Sequence, residues 1–501
     1  MLIAGLIGTM FWSILSAASG SAAGSGSDIG YLIYITILQA SLSTVLSLIV
    51  GIALAWALNR LRFPGRDLLV GLFASAIVTP GIIVAFGLIA VWGRAGWLGG
   101  LNVPIFGLGG VVAAHVILDA ALAARILLAR LDAIPDARLK TGQSLALSPW
   151  TRFATIDWPA IRGTLPGLAA IIFLLAFTSF PIVLLLGGGP AVQTLEVAIY
   201  SAVRLDFDLV LAVQLALIQI AICSAIIVAS SALSPVSTSL DRSVAPRWRD
   251  RGPARALQWT VLALGLFGFA SPLVAVLFDG LEGLGGMLAR PAFWMAALTS
   301  IAVGAASAAL ALLLGLTIAA ARAATASRFG RIAIGVPAYA YLVVPAVALA
   351  LGAFILVRNL GLPPDAVAPL VVVTANALLS LPFVMAALAP PLDTIARSRG
   401  RLIRSLGLSG ARQFNAIEWP LIARDVGLVL ALSFCFSLGD LGVIALFDTR
   451  EFVTLPLLMV RALGAYRTND AGTIAALMLL LTIIAFIALP ALFERLSRAR
   501  A

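Results

Sequence analysis

Twelve apolar stretches, most of them about 20 residues long, recur along the chain at 2–18, 33–58, 68–92, 108–130, 165–187, 208–233, 257–278, 293–321, 332–356, 367–389, 425–446 and 473–493. Runs of that length suit a helix that crosses a bilayer, because in lipid a helix satisfies its own backbone hydrogen bonds. Composition closes the soluble alternative. Only 11% of the 501 residues are charged while 61% are hydrophobic, against roughly 25% charged in a soluble domain. So few charges cannot clothe a core of this size, and the surplus apolar surface must face lipid. The expected fold class is all-α, a polytopic membrane protein of about 12 transmembrane helices. The stretch 2–18 is the weakest, since it runs without a preceding basic residue into the small residues of 16–27. A signal peptide normally carries a basic start, so this first helix is expected to be retained.

The basic residues number 33, and Lys140 is the only lysine. The segment Lys140-Thr141-Gly142 lacks the Gly-Lys-Ser/Thr ending of a phosphate-binding loop, which excludes ATP hydrolysis by that device. A net charge of +11 raises the question of nucleic acid. The arginines, however, lie in short clusters between apolar runs, as in membrane loops, so no nucleic-acid partner is expected. With the N-terminus inside, the loops 59–67, 124–164, 234–256, 322–331 and 390–424 and the tail after 493 hold 26 of the 33 basic residues. Basic residues concentrate on the cytoplasmic side, so both ends are expected to be cytoplasmic in a multi-pass inner-membrane protein. Cys223 and Cys435 lie inside apolar runs, and His115 is the only histidine. No disulfide framework, metal site or catalytic histidine arrangement is implied.

The chain also repeats itself. SLALSPWTRFATIDWPAI at 144–161 returns as SLGLSGARQFNAIEWPLI at 405–422, a shift of 261 with nine of eighteen positions identical. Upstream, Gly51, Pro80 and Gly87 find counterparts at Gly315, Pro345 and Gly352, with shifts of 264 or 265. Two halves, 1–234 and 257–501, are thus expected to be joined by an arginine-rich linker at 235–256. Six spans per half is an even number, so the halves enter the membrane in the same orientation. An inverted-repeat carrier would need an odd number.

The repeated loops, 131–163 and 392–424, are too long for simple turns. Residues 136–148 and 397–409 read as short amphipathic helices, each followed by a Trp-Pro pair expected to break the chain before the next span. Leu406, Gly407, Phe414 and Pro420 resemble the EAA loop of ATP-binding cassette importer permeases. In the first half Leu145, Phe153 and Pro159 match, Ala146 replaces the glycine, and Lys140 and Arg401 stand where the motif has its acidic residue. WGRAGWLGG at 92–100, LAFTSFPIVLLLGGGPAVQTLEVAIY at 175–200 and SLGDLGVIALFDTREFVTLP at 437–456 are similar to fused permeases of bacterial thiamine and thiamine pyrophosphate importers. The fused ferric-iron permeases share that architecture.

The resemblance implies a type I importer permease fold with two parallel six-helix repeats. It implies no chemistry of the chain's own, no cofactor on this chain and ATP-Mg on a separate ATPase. Its partners would be two copies of that ATPase and a periplasmic thiamine-binding protein. Lys140, Leu145, Ala146, Leu147, Ser148 and Phe153 of the first loop, and Arg401, Leu406, Gly407, Leu408, Ser409 and Phe414 of the second, would meet the ATPase.

Polar groups inside spans are costly and usually retained for a reason. Asp440, in Ser437-Leu438-Gly439-Asp440-Leu441-Gly442, is the leading candidate for the substrate path, with Ser437 beside it and Ser179 at its repeat position. Its competing reading is a cap on a broken helix or a partner for an arginine. His115 and Asn376 are repeat partners as well, and Asp119 stands one turn from His115 as a structural explanation for it. An ion-coupled carrier remains the alternative from another class. It draws on Asp440 and His115 but leaves the duplicated loop without a purpose.

Overall fold

A computed structural model of the protein describes residues 29–189, 192–231, 248–339, 343–449 and 452–498, with Thr9 and Tyr341. The apolar stretch 2–18, apart from Thr9, and most of the linker, 235–247, lie outside the described residues. All regular structure among the described residues is helical. In the first repeat these helices are α1 Ile29–Arg60, α2 Arg66–Ser75, α3 Gly81–Trp92, α4 Leu108–Asp132, α5 Asp136–Ser144, α6 Leu165–Phe177, α7 Phe180–Leu186, α8 Leu195–Arg204 and α9 Leu209–Ser231. In the second they are α10 Pro253–Glu282, α11 Pro291–Ala324, α12 Arg328–Tyr339, α13 Ala346–Asn359, α14 Pro364–Ser405, α15 Trp419–Leu438, α16 Leu455–Gly464 and α17 Thr468–Arg498. Very short turns connect several of them. By contact the described residues fall into two compact units. One holds Ser27–Val197 with Ile222–Asp279, the other Ala198–Ala221 with Gly280–Ala501.

Eight described helices are long and apolar enough to cross a membrane, or nine if the bent pair Pro149–Ile161 and Leu165–Phe177 forms one span. Of the twelve expected, eight or nine are thus found among the described residues, and the stretch 2–18 lies outside them apart from Thr9. Each apolar run from 33–58 onward does carry helix, but 68–92, 165–187, 332–356 and 425–446 are split. Three of the four splits have a local cause. Pro80 and Pro345 precede α3 and α13 in extended conformation, with ψ of 131° and 153°. Ser179, one residue before Phe180-Pro181, is extended too, at φ −89° and ψ 103°. A proline disfavours helix in the residue before it and lacks the N–H that would continue the ladder. A count of apolar residues registers none of this.

The repeat is visible in packing. A Cβ on Gly51 would overlap Ala123, and one on Gly315 would overlap Val384. Ala123 and Val384 are themselves partners at the shift of 261. Each half therefore uses a glycine to bring a long helix, α1 or α11, close to the helix that leads toward the repeated loop, α4 or α14.

A second repeated device was not foreseen. Thr36 Oγ1 on α1 accepts a hydrogen bond from the Leu195 N–H at 3.0 Å, and Ser300 Oγ on α11 accepts one from the Leu455 N–H at 2.7 Å. Those N–H groups open α8 and α16, where a helix has no internal acceptor. A hydroxyl from a neighbouring helix thus anchors each short helix inside an apolar setting.

Candidate functional site

Both repeated loops turn in the same way. In the first, α5 ends with Leu147 N–H donating to Gly142 O at 3.2 Å and Ala146 N–H to Gln143 O at 3.0 Å. In the second, Leu408 N–H donates to Ile403 O and Gly407 N–H to Arg404 O, both at 3.1 Å. This crossed pair of bonds closes a helix through one left-handed residue. Ala146 holds φ at +49° and Gly407 at +61°. The glycine and the alanine that replaces it therefore serve one turn, at a backbone cost only the alanine bears. Ala146→Gly is expected to stabilise this turn by about 1 kcal/mol and Gly407→Ala to weaken its counterpart by about as much, because φ is the sole strain. Amide hydrogen exchange across 139–147 and 403–408 would check it, slower in the first variant and faster in the second.

Two loop expectations need correction. Residues 397–405 are not a separate helix but the last turns of α14, which is 42 residues long. The Trp-Pro pairs do not themselves break the chain: the second lies within the continuous helix Gly410–Leu438, and in the first loop the 65° bend comes after Ile161, before Leu165–Phe177. Phe153–Asp157 and Phe414–Glu418 form π turns, after which Trp158-Pro159 and Trp419-Pro420 begin the next helical segments. Each pair thus lies inside a continuous helical stretch directly after a π turn, and the widened turn accommodates the missing proline N–H.

Around the turns, Lys140, Ala146, Ser148, Arg401, Gly407 and Ser409 are exposed, while Leu147, Phe153, Leu408 and Phe414 are half-buried. Leu145 and Leu406 stand 66% and 59% exposed, and Trp150 beside the first turn 75%. Ser148 Oγ accepts from the Thr151 N–H at 3.1 Å and so starts the next helical turn.

The structure brings Asn376, Ser437 and Asp440 together and leaves His115 in the other unit. Asn376 Nδ2 donates to Ser437 Oγ at 3.0 Å, Ser437 Oγ to Ser307 Oγ at 3.3 Å, and the Asn376 amide also engages the Asp440 carboxyl. Asp440 follows the end of α15 at Gly439. Its Oδ1 accepts from the Val443 N–H at 3.1 Å, and no arginine pairs with it among the described residues. The capping reading is therefore real. Its Oδ2 is buried and makes no hydrogen bond of ordinary length among the described residues, although the Asn376 amide and the Gly442 and Ile444 N–H groups also act on the carboxyl. Ser179 occupies the matching break before α7, and its side chain caps nothing. His115 Nδ1 lies 2.8 Å from Val111 O and 3.1 Å from Gln39 Nε2. Asp119 is not its partner.

The chain is 37% identical over 458 residues to the thiamine transport system permease protein of Brucella melitensis, a match covering 88% of this chain and 84% of that protein. With the protein of the same name from Escherichia coli the identity is 34% over 464 residues, 89% of this chain and 86% of the relative. The chain belongs to the family of thiamine transport system permease proteins. A molybdenum transport system permease protein of Azotobacter vinelandii is 30% identical over 173 residues, which are 33% of this chain but 76% of that protein. That proportion is what a fusion of two permease halves would give. No family profile matches the chain.

This multi-pass thiamine transport system permease also contains an element that sequence reasoning missed. Arg152, fully buried, holds Asp250 through two hydrogen bonds of 2.7 and 2.6 Å and lies 4.6 Å from the centre of the Trp248 ring. Asp157 receives Arg60 Nη2 at 2.5 and 2.6 Å, and Gln258 Nε2 donates to Asp250 at 2.6 Å. Trp248 packs against Gly142 of α5, where a Cβ would come within 2.8 Å of its ring. Burial penalises the charge on Asp250, yet the bonds from Arg152 and Gln258, with Arg60 nearby, hold its carboxyl below the usual carboxylate range. Among the described residues the second loop has no such clamp. Gln413 and Glu418 take the places of Arg152 and Asp157, joined by one 2.6 Å hydrogen bond.

Proposed function

We propose that the chain is the membrane subunit of an ATP-binding cassette importer that moves thiamine and its phosphate esters across the bacterial inner membrane by alternating access. Two copies of a separate ATPase dock on the loops 131–163 and 392–424, one on each half. ATP and Mg²⁺ bind those subunits, and a periplasmic thiamine-binding protein delivers the substrate from outside. Both termini face the cytoplasm, the side that takes 26 of the 33 basic residues. The halves 1–234 and 257–501 act as the two permeases of an unfused system, tethered by 235–256. One observation carries this reading: two loops related by the repeat end in the same left-handed turn and present Leu145 and Leu406 to the surroundings. A duplicated exposed apolar turn suits a partner present twice. Closure of the ATPase pair would move both loops and switch the pathway from inward- to outward-facing.

The complex is expected to copurify with two ATPase subunits per chain, and in proteoliposomes it should accumulate labelled thiamine only with ATP and the binding protein. Gly407→Trp would place a bulky side chain on a left-handed residue and should release or uncouple one ATPase. Concentrative uptake by the chain alone, driven by a proton gradient, would refute the reading. Uptake of ferric iron with none of thiamine would move the substrate assignment.

A further inference from the structure

The two repeats diverge most informatively around a cavity of about 420 Å³ whose lining includes Arg204, Phe354, Asp365, Phe447 and Asp448. Asp365 stands in the first turn of α14, whose 42 residues end at the second repeated loop. At 1.5 Å per residue that is roughly 60 Å of helix, so the cavity opens at the end of its unit away from that loop. The Phe354 and Phe447 rings meet edge to face, 6.1 Å apart at 71°. Phe447 ends the short turn Ile444–Phe447 that follows Asp440, so the cavity and the Asp440 break are two ends of one segment. Asp448 is engaged by Arg204 at 3.8 Å and by Arg461. Asp365 is exposed and has no ion-pair partner among the described residues.

At the repeat positions the first half has Ile89 for Phe354, Leu186 for Phe447, Gly187 for Asp448 and Ser179 for Asp440. Each difference replaces an aliphatic or neutral residue by an aromatic ring or a carboxylate. Of these, the ring of Phe354 could stabilise an organic cation through its negative face; Asp448 is already paired with Arg204 and Arg461, which leaves the exposed Asp365 as the lining carboxylate with no ion-pair partner among the described residues. An asymmetric ligand needs such groups on one side of the path only.

We propose that this cavity is the entry vestibule of the translocation path and receives a heteroaromatic cation, with the Phe354 ring against its face and Asp365 offsetting its charge before it passes toward Asp440. The inference rests on the importer reading above and adds the place of first contact. Asp365 is exposed while Phe354 packs on Phe447, so the conservative variants Phe354→Tyr and Asp365→Glu separate recognition from packing.

The test uses the reconstituted complex with its ATPase and binding protein, and labelled thiamine as probe. Asp365→Asn and Phe354→Leu are each expected to lower initial uptake about tenfold, the scale of one cation–π contact or partly screened charge pair. Phe354→Tyr and Asp365→Glu, which keep the ring and the charge, should restore most of it. Normal uptake by both Asp365→Asn and Phe354→Leu would overturn the vestibule and leave the importer reading standing. Equal loss in Phe354→Leu and Phe354→Tyr would reduce Phe354 to packing and overturn its recognition role. Absence of thiamine uptake by the wild-type complex would instead overturn the importer reading.

Discussion

Arg152→Ala is expected to destabilise the first repeated loop by about 3–5 kcal/mol, the usual cost of stranding one partner of a buried ion pair. Asp250 would keep only Gln258, and Asp157 would keep Arg60 while losing the second arginine, 3.9 Å away. In detergent the apparent melting midpoint should fall by about 5–10 °C, and the permease should retain less ATPase on copurification. The double variant Arg152→Met/Asp250→Leu should recover part of the loss, since an apolar pair of similar volume avoids leaving a lone buried charge. A single variant as stable as the wild type would show that the clamp contributes nothing.

The pH dependence has a defined sign. The Asp250 carboxyl is held below its ordinary range in the folded chain. Its contribution is therefore fully present above the unfolded value of about 3.9 and is lost only as pH falls through the lower folded value. The clamp should be indifferent to pH between neutrality and mild acid.

Asp440→Asn is expected to lower thiamine uptake about tenfold, equivalent to roughly 1.4 kcal/mol. The substitution isolates charge from structure. An asparagine Oδ1 can still accept from the Val443 N–H that Asp440 caps at 3.1 Å, so the turn after α15 should survive and the ATPase should remain bound. If Asp440 lines the path proposed for the substrate, what is lost is the negative charge it would offer a cation in a low-dielectric passage, where an uncompensated charge is costly. The effect is bounded because a transporter must release what it binds. Ser179→Ala, at the matching break of the first half, should do much less, since that side chain caps nothing. Normal uptake by Asp440→Asn would exclude charge compensation. Loss of assembly would confine Asp440 to its capping role.

Much of the architecture is legible in the sequence alone. The ratio of apolar runs to charge demands a bilayer, because each apolar side chain reports its own preference for lipid or water. The duplication was legible because related halves keep residues at a near-constant shift, and Gly51 with Gly315 and Pro80 with Pro345 proved to occupy equivalent places in packing and at breaks. The loop residues Leu145, Ala146, Leu406 and Gly407 could be named from the repeat alone, and their shared left-handed turn is a local property.

The remainder depended on groups far apart in sequence. Arg152 and Asp250 are separated by 98 positions, Thr36 and Leu195 by 159, and Asn376 and Ser437 by 61. No periodicity announces such pairs. Each exists because folding removes water from both members and leaves the other as the available partner. The chain's preference for lipid, its duplication and its family were thus written residue by residue. Which polar groups meet inside the apolar setting, where the spans break, and which of the two loops is clamped were decided only when tertiary packing excluded water.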